Sequence, residues 1–309
     1  MERFHYNGEI SELVKWFKIG LVTGLGPQKI RKLLFDFDSL DKIYSAPNLQ
    51  LLQTGVFNQN MLNEFNKLKQ ASDENFIKII EECKDKNIQI ITFLDEKYPQ
   101  ELKVLQSPPL TLYLKGNIDL LYQKNKIAIV GTREPSQKAI DYTYSLSNSL
   151  ASKDYIIVSG GALGIDTAAH KGALDFESGK TICVLGAGFN YIYPPENITL
   201  FNEIEKIGLL ISEHLPTFRG SNISYLQRNR ITSGLSDAVF LVGAKEIGGS
   251  LTQVKIAYDQ RKPIFCPKQE DNILPSDGVK YAISKYNAKE VSNPDDLIRK
   301  LKNPFGSFI

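Results

Sequence analysis

The chain has 309 residues, of which 42% are apolar and 23% are charged, and its formal net charge is +2 at pH 7. This composition is typical of a globular protein. It excludes a disordered, collagen-like or low-complexity chain, and also a protein that would hold a polyanion by its overall positive field. No apolar run approaches the roughly 18 residues that a membrane helix needs, and the amino terminus lacks a signal-peptide core, so we expect a cytoplasmic protein.

Residues 1–85 are predicted to form a helical domain. Apolar residues recur at helical spacing before and after Gly24-Leu25-Gly26-Pro27, and Pro27 suits the first turn of a helix because its missing N–H is no loss there. We interpret this pattern as a helix-hairpin or SAM-like element. Its turn is either an ordinary connection in a small bundle or a place where N–H groups meet a phosphate. A further helix is predicted at about 74–86.

Residues 86–120 are predicted to be a connecting segment that packs onto the following domain. An apolar run occupies 88–93, and two prolines at 108 and 109 lead into a leucine-rich stretch that ends at Gly116 and Asn117. Proline before alternating apolar residues is typical of an extended connection.

From Lys126 onward, short apolar strands alternate with segments of helical period. The strands consist almost entirely of Ile, Val and Leu, as expected for strands that are buried on both faces of a parallel sheet. We therefore predict an α/β fold, with a doubly wound, mostly parallel sheet at residues 121–303 and a tail at 304–309. The predicted strands are 127–130, 155–158, 181–185, 209–212, 238–242 and 263–266.

Three strand-to-helix junctions of this sheet are rich in glycine. Ligands of such sheets sit beyond the carboxyl ends of the strands, where helix amino termini offer N–H groups to an anion. One glycine turn often serves backbone conformation alone, but three at one edge favour an anion-binding site. The junctions are Gly131-Thr132-Arg133, with Ser136 as the predicted N-cap of the next helix, the stretch from Ser159 to Asp166, and Gly248-Gly249-Ser250.

The sequence gives no support for a disulfide, a metal or a bound cofactor. Cys83, Cys183 and Cys266 lie far apart, and the three histidines are equally scattered. Gly186-Ala187-Gly188 lacks the third glycine of the dinucleotide fingerprint, and Gly179-Lys180-Thr181 lacks the upstream glycine of a P-loop. We therefore expect neither a metal nor a cofactor.

Arg228 and Arg230 stand out in the stretch that follows the fourth predicted strand. Because one residue separates them, they cannot share a helical face. We expect one of them to pair with a carboxylate such as Asp237, and the other to meet solvent or a ligand. A structural ion pair is the commoner role for each arginine taken alone.

Taken together, these residues resemble the DNA-processing protein A family, also called DprA or Smf. The resemblance follows the order of the motifs along nearly the whole chain, and the upstream prolines and the helix hairpin fit the family's amino-terminal region. The motifs are IAIVGTR (127–133), SGGALGIDTAAH (159–170), GAL (172–174), VLGAG (184–188), YP (193–194), Asn197, LISE (210–213), RNRI (228–231), GLS (234–236) and GSLT (249–252).

The resemblance implies a non-enzymatic, cytoplasmic protein that binds single-stranded DNA. It also implies an extended Rossmann-like domain that forms a homodimer, and a role in protecting incoming DNA and loading the RecA recombinase during natural transformation, that is, in competence and recombination. Since the chain stops at Ile309, we expect no carboxyl-terminal winged-helix domain. Carried over onto this sequence, the phosphate- and DNA-binding residues are Gly131, Thr132, Arg133, Ser159, Gly160, Gly161, Arg228, Asn229, Arg230, Gly249 and Ser250.

Aromatic and ionisable residues near these motifs have two possible roles each. Phe189, Tyr191 and Tyr193 follow the third predicted strand, and they either stack on bases or pack at the rim; we assign stacking to Phe189 and Tyr191. Asp166 and His170 are candidates for acid–base chemistry, but we expect Asp166 to brace the glycine turn and His170 to pack one helical turn later.

The sequence departs from the family pattern at two places. Gly243 stands where a glutamate is usual, and the third glycine junction differs from the family's motif.

The broader group of Rossmann domains offers an alternative function. The alternative is a nucleotide-binding sensor or a phosphoribohydrolase that acts on nucleotides. The enzyme would need a carboxylate beside the glycine pocket, such as Asp166, Glu213 or Glu246.

Overall fold

The computed structural model describes residues 9–245, 248–268 and 277–302. The chain divides into two units, Met1–Tyr113 and Leu114–Ile309. None of the described helices combines the length and the apolar character that crossing a bilayer requires. The domain limits predicted at residues 85, 120 and 303 stay predictions, and the predicted tail at 304–309 lies outside the described residues.

The first unit is mainly helical, as predicted. Its elements are α1 (Ile10–Gly20), α2 (Pro27–Phe37), α3 (Leu40–Ser45), α4 (Asn48–Gln53), α5 (Gln59–Gln70), α6 (Glu74–Asp85), β1 (Gln89–Thr92), α7 (Gln100–Lys103) and the first half of β2 (Thr111–Gly116). Helices α1 and α2 flank the glycine turn, with Pro27 opening α2 and Gly24 at a φ of 77° before it. The interpretation as a helix-hairpin or SAM-like element stays a prediction. Trp16 and Phe65 are buried in this unit.

The second unit carries the predicted alternation of strands and helices. All six predicted strands are present, two of them with the predicted bounds. The elements are β3 (Lys126–Gly131), α8 (Gln137–Ala151), β4 (Ile156–Ser159), α9 (Ile165–Leu174), β5 (Thr181–Leu185), α10 (Ile198–Ile207), β6 (Leu209–Ser212), α11 (Asn222–Gln227), α12 (Asn229–Gly234), β7 (Ala238–Gly243), α13 (Gly249–Asp259), β8 (Ile264–Pro267), α14 (Asp277–Tyr286), β9 (Lys289–Val291) and α15 (Pro294–Lys302).

Within the described part of the second unit, seven parallel strands pair in the order β6-β5-β4-β3-β7-β8-β9. The chain runs outward from β3 to β6, then crosses back and runs outward in the other direction from β7 to β9. The strand order therefore reverses between β3 and β7. In doubly wound sheets such a switch point opens a crevice at the carboxyl ends of the strands.

Alternate residues of β3 enter the two hydrophobic layers that cover the sheet. Ile127 and Ile129 pack in a buried cluster with residues of α8, α9 and α15. Ala128 and Val130 pack on the opposite face with residues of α13 and α14. Because both faces of β3 are covered, its carboxyl end is held firmly where the switch point opens.

Candidate functional site

A cavity of about 740 Å³ opens at the carboxyl ends of β3, β4 and β7. These three strands are neighbours in the sheet, so their glycine junctions meet at one edge, as the sequence predicts. The residues that line the cavity include Gly131, Thr132, Arg133, Glu134, Gly160, Asp166, Tyr193, Gly220, Tyr225, Arg228, Asn229, Lys245, Gly248, Gly249 and Ser250.

The first junction fixes the backbone and leaves one arginine exposed. The N–H of Thr132 donates to the carbonyl of Gly243 at 2.9 Å, and Ser136 caps α8 as predicted. A Cβ placed at Gly131 would lie 2.6 Å from the side chain of Ile165, so α9 packs closely against this strand end. Arg133 comes next, is exposed, and makes no ion pair with any described residue.

The third junction presents the amino terminus of α13 to the cavity. The first turn of a helix has N–H groups without an intrahelical acceptor, and they carry a partial positive charge. Nothing in the described chain accepts a hydrogen bond from the N–H groups of Gly249 and Ser250. The hydroxyl of Ser250 donates to the carbonyl of Gly131 at 2.7 Å, which fixes this helix end to the first junction. The helix begins at Gly249, inside the third glycine junction.

The second junction differs from the expectation that its N–H groups face a ligand. Oδ2 of Asp166 accepts the N–H of Gly160 at 3.2 Å and the N–H of Ala162 at 3.3 Å. Asp166 therefore braces the turn, as predicted, but it also occupies donors that a phosphate would need. Ser159 and Gly161 lie behind the residues that line the cavity. The hydroxyl of Ser159 donates to the carbonyl of Ile129, and a Cβ at Gly161 would meet the ring of Phe201 at 2.5 Å.

A buried arginine forms the floor of the cavity at this junction. Arg228 is 6% exposed, and its guanidinium would lie about 2 Å from a Cβ placed at Gly160, so only glycine leaves room for it. Nε donates to Asn229 at 3.1 Å, Nη1 donates to the carbonyl of Val184, and Nη2 lies 4.0 Å from Asp166. Asn229 also lines the cavity, and its carbonyl accepts a bond from Gln253. A guanidinium offers five N–H donors, so this buried charge has capacity left for an anion.

Burial shifts the pKa values of Asp166, which lines the cavity, and of His170, which lies behind the lining. It raises the pKa of Asp166 above its usual value, and the nearby Arg228 opposes that shift. It lowers the pKa of His170 to about 3, and the ring Nδ1 lies 2.7 Å from the hydroxyl of Thr181. His170 is fully buried one turn into α9, as predicted, and it is neutral at pH 7.

Arg230 does not line the cavity as the described residues define it. Its guanidinium forms a two-point ion pair with Glu213, which follows β6. A carboxylate partner was expected for one of the two arginines, and Arg230 has one. The carboxylate is not Asp237, the example considered, which accepts the backbone N–H of Lys126 at 2.9 Å. Nothing in the local sequence indicated Glu213, because it lies 17 residues earlier in the chain.

The aromatic residues that line the cavity are not the two that were assigned to stacking. Phe189 is partly buried against the cluster around Phe201, and Tyr191 lies under Arg219, whose guanidinium carbon is 5.0 Å from the ring centroid. Among the described residues, the aromatic side chains that line the cavity are Tyr193 and Tyr225. Tyr225 was not predicted as a site residue. The available signal was its place on α11, three residues before Arg228.

Described residues form no group of three or more His, Cys, Asp or Glu that could hold a metal ion. The three cysteines are buried and unbridged. Burial raises the pKa of the Cys183 thiol to about 12, so this thiol behind the cavity wall is not a nucleophile at neutral pH.

Comparison with known proteins gives a family match. Residues 89–302 match the family described as DNA recombination-mediator protein A. The protein Smf of Synechocystis is 33% identical over 284 residues, which cover 91% of this chain and 70% of that protein. The DNA processing protein DprA of Bacillus subtilis is 33% identical over 224 residues, which cover 72% of this chain and 75% of that protein.

Solved structures with related sequences have the same fold. DNA processing protein A from Streptococcus pneumoniae superposes with a TM-score of 0.80 at 30% identity, covering 96% of this chain and 99% of that one. DNA processing protein A from Helicobacter pylori, whose structure addresses a single-stranded DNA binding mode, superposes with a TM-score of 0.63 at 33% identity. That match covers 72% of this chain and 99% of that one.

Proposed function

Because this chain belongs to the DNA recombination-mediator protein A family, we propose that it is a recombination mediator that binds single-stranded DNA in the cavity at the β3–β7 switch point. A role in DNA processing follows from the family and from its DprA relatives. The single-stranded DNA binding of the Helicobacter pylori protein supports the same ligand for this chain.

One observation supports the cavity as the binding site more than any other. Three donors reach the same cavity: Arg133, which has no ion-pair partner among the described residues, the first N–H groups of α13, and the buried Arg228. Arginine and helix-terminal N–H groups are donors that bind phosphate, and contacts to phosphate carry no information about base sequence. Binding should therefore tolerate any sequence and weaken as salt rises.

The finer role that we propose is the one that the resemblance implies. The protein protects an incoming single strand and transfers it to the RecA recombinase during natural transformation. It acts in the cytoplasm as a homodimer and without a catalysed step. Membership of the family is the basis for this finer role.

The geometry of two carboxylates supports binding without chemistry. Asp166 accepts two N–H groups of its own turn, and Glu213 is held at both oxygens by Arg230. Both carboxylates are engaged inside the protein, whereas a glycosidic-bond-cleaving enzyme needs one that faces its substrate. Glu246, the third candidate for such an enzyme, lies outside the described residues.

The experiment that tests this proposal is a salt titration of binding to labelled oligothymidine, followed by fluorescence anisotropy. We expect the logarithm of the affinity to fall linearly with the logarithm of the salt concentration. A methylphosphonate oligomer of the same length, which keeps the bases but lacks the charges, is the matched control and should not bind. Affinity that is independent of salt, or equal binding of the neutral oligomer, contradicts phosphate recognition.

A second assay separates binding from catalysis. Incubation of the protein with nucleoside monophosphates, followed by chromatography of the products, should yield no free base. Release of base would favour the phosphoribohydrolase alternative and contradict a purely binding role.

A further inference from the structure

Two tyrosines face the cavity beside the groups that are suited to phosphate. Tyr193 lines it and is 56% exposed, and Tyr225 lines it from α11. Their ring centroids lie 6.0 Å apart, with the ring planes inclined at 56°. At this distance the two rings are in contact, and they form one aromatic surface at the side of the cavity.

The local packing fixes Tyr225 and leaves Tyr193 open. A Cβ placed at Gly186 would lie 2.4 Å from Cδ1 of Tyr225, so the absence of a side chain there lets the ring lie against the end of β5. The hydroxyl of Tyr225 would lie 3.0 Å from a Cβ at Gly220. Tyr225 is thus held between two glycines, and it supports the more exposed ring of Tyr193 from one side.

The aromatic surface lies close to the cations of the same cavity. Burial raises the pKa of the Tyr225 hydroxyl, and the positive charges of Arg228 and Arg133 oppose that rise. A cavity of about 740 Å³ has room for a nucleotide. An aromatic face beside guanidinium and N–H donors matches the two parts of a nucleotide, a flat base and a charged phosphate.

We propose that Tyr193, supported by Tyr225, is a nucleobase-stacking subsite, so that the cavity holds one nucleotide of the strand with its base on the ring of Tyr193 and its phosphate at Arg133 and the start of α13. This inference rests on the proposed function and goes beyond it, because phosphate recognition alone needs no base. Stacking on a tyrosine accepts every base, so the subsite adds affinity without sequence preference.

The test compares two oligomers that have the same length and the same number of phosphates. One is oligothymidine, and the other is an abasic strand with a tetrahydrofuran residue in place of each nucleoside. The wild-type protein should bind oligothymidine about tenfold more tightly than the abasic strand. Tyr193→Ala should remove this difference by weakening oligothymidine binding alone, and Tyr193→Phe, which keeps the ring, should restore it.

The matched control is Tyr122→Ala, which removes an exposed tyrosine of the second unit that is not among the residues lining the described cavity. It should leave both affinities unchanged. If Tyr193→Ala binds the abasic strand with an unchanged salt dependence, the variant is folded and still binds phosphate.

The outcomes separate the subsite from the function on which it rests. If the wild type binds both oligomers equally, or if Tyr193→Ala weakens both equally, the subsite is overturned and DNA binding stands. If neither oligomer binds, the proposed function is overturned, and the subsite with it.

Discussion

Arg230 and Glu213 form a two-point ion pair, with Nη1 to Oε1 at 2.7 Å and Nη2 to Oε2 at 2.5 Å. The two side chains are 16% and 12% exposed. Removing one partner of such a pair leaves the other charge poorly solvated. We therefore expect Arg230→Ala to lower the free energy of unfolding by about 2 kcal/mol and to leave the salt dependence of DNA binding unchanged.

Urea unfolding and anisotropy titrations check the two halves of this prediction. The double variant Arg230→Met with Glu213→Leu removes both charges, and it should recover most of the lost stability. A reduced salt slope in Arg230→Ala would instead place Arg230 against phosphate.

Arg133 is the exposed cation at the end of β3. Replacing it by alanine should weaken binding to oligothymidine by about tenfold or more and lower the salt slope by about one, because one phosphate contact is lost. Anisotropy at several salt concentrations gives both values. Arg299→Ala, which removes an exposed arginine on α15 and makes the same change in net charge, should have neither effect. Equal effects of the two substitutions would mean that only net charge matters.

Glu134 and Lys245 form an exposed ion pair on the cavity lining, with the Nζ–Oε2 distance at 3.0 Å. The carboxylate of Glu134 repels a polyanion. It also holds Lys245, which would otherwise be available to bind the polyanion. Glu134→Gln should therefore strengthen binding to oligothymidine by about two- to fivefold at low salt. The gain should disappear at high salt, where the charges are screened. The control is Glu177→Gln, at an exposed residue that is not among those lining the cavity, and it should leave the affinity unchanged. A loss of affinity in Glu134→Gln would contradict the prediction.

Gly160 is the residue against which the guanidinium of Arg228 packs. A Cβ at this position would lie 1.9 Å from Nη1, so Gly160→Ala must displace the buried arginine. We expect a loss of about 1–3 kcal/mol in the free energy of unfolding, together with weaker DNA binding. Chemical denaturation measures the first effect. Gly248→Ala is the control for stability, because a Cβ there meets nothing within 4 Å. Equal stabilities of the two variants would show that Arg228 moves without cost.

His170 makes the stability depend on pH. Its native pKa is about 3, below its ordinary value near 6.5, so between these values the unfolded chain binds a proton that the native protein does not. The free energy of unfolding should therefore fall as the pH is lowered from about 6.5 towards 3, and by about 2 kcal/mol from pH 7 to pH 5 through this group.

Urea unfolding at pH 5, 6 and 7 compares the wild type with His170→Asn, which can still donate to Thr181 but does not titrate. The variant should have the shallower pH dependence. A smaller slope should remain, because burial also lowers the pKa of His214. Identical slopes would show that His170 is not the responsible group.

The parts of the fold that the sequence predicts best are those with a strong local cause. β5 and β6 have the predicted bounds because each is a continuous apolar run between turn residues, which burial on both faces requires. β9 was missed because Lys289-Glu290-Val291 is short and mostly polar, and its pairing with β8 supplies the order that its sequence lacks.

The candidate site shows the same limit. The parallel sheet alone places the three glycine junctions at one edge, and the neighbouring positions of β4, β3 and β7 bring them together. The sequence predicted that Asp166 braces the glycine turn. It did not predict that the same carboxylate occupies N–H groups of the turn, which are then not available to a phosphate. The partner of Arg230 and the place of Tyr225 depend on how α11 and α12 pack after β6, and no local pattern encodes that packing.

The hydrogen bond from Ser250 to Gly131 joins residues that lie 119 positions apart in the chain. Contacts of such high sequence separation form late, because the entropy of closing the loop between them must be lost first. A nascent chain that has emerged only as far as β7 would carry Arg133 and Arg228 but not the start of α13. Binding of a polyanion should therefore become possible only after α13 has emerged, and then in one cooperative step.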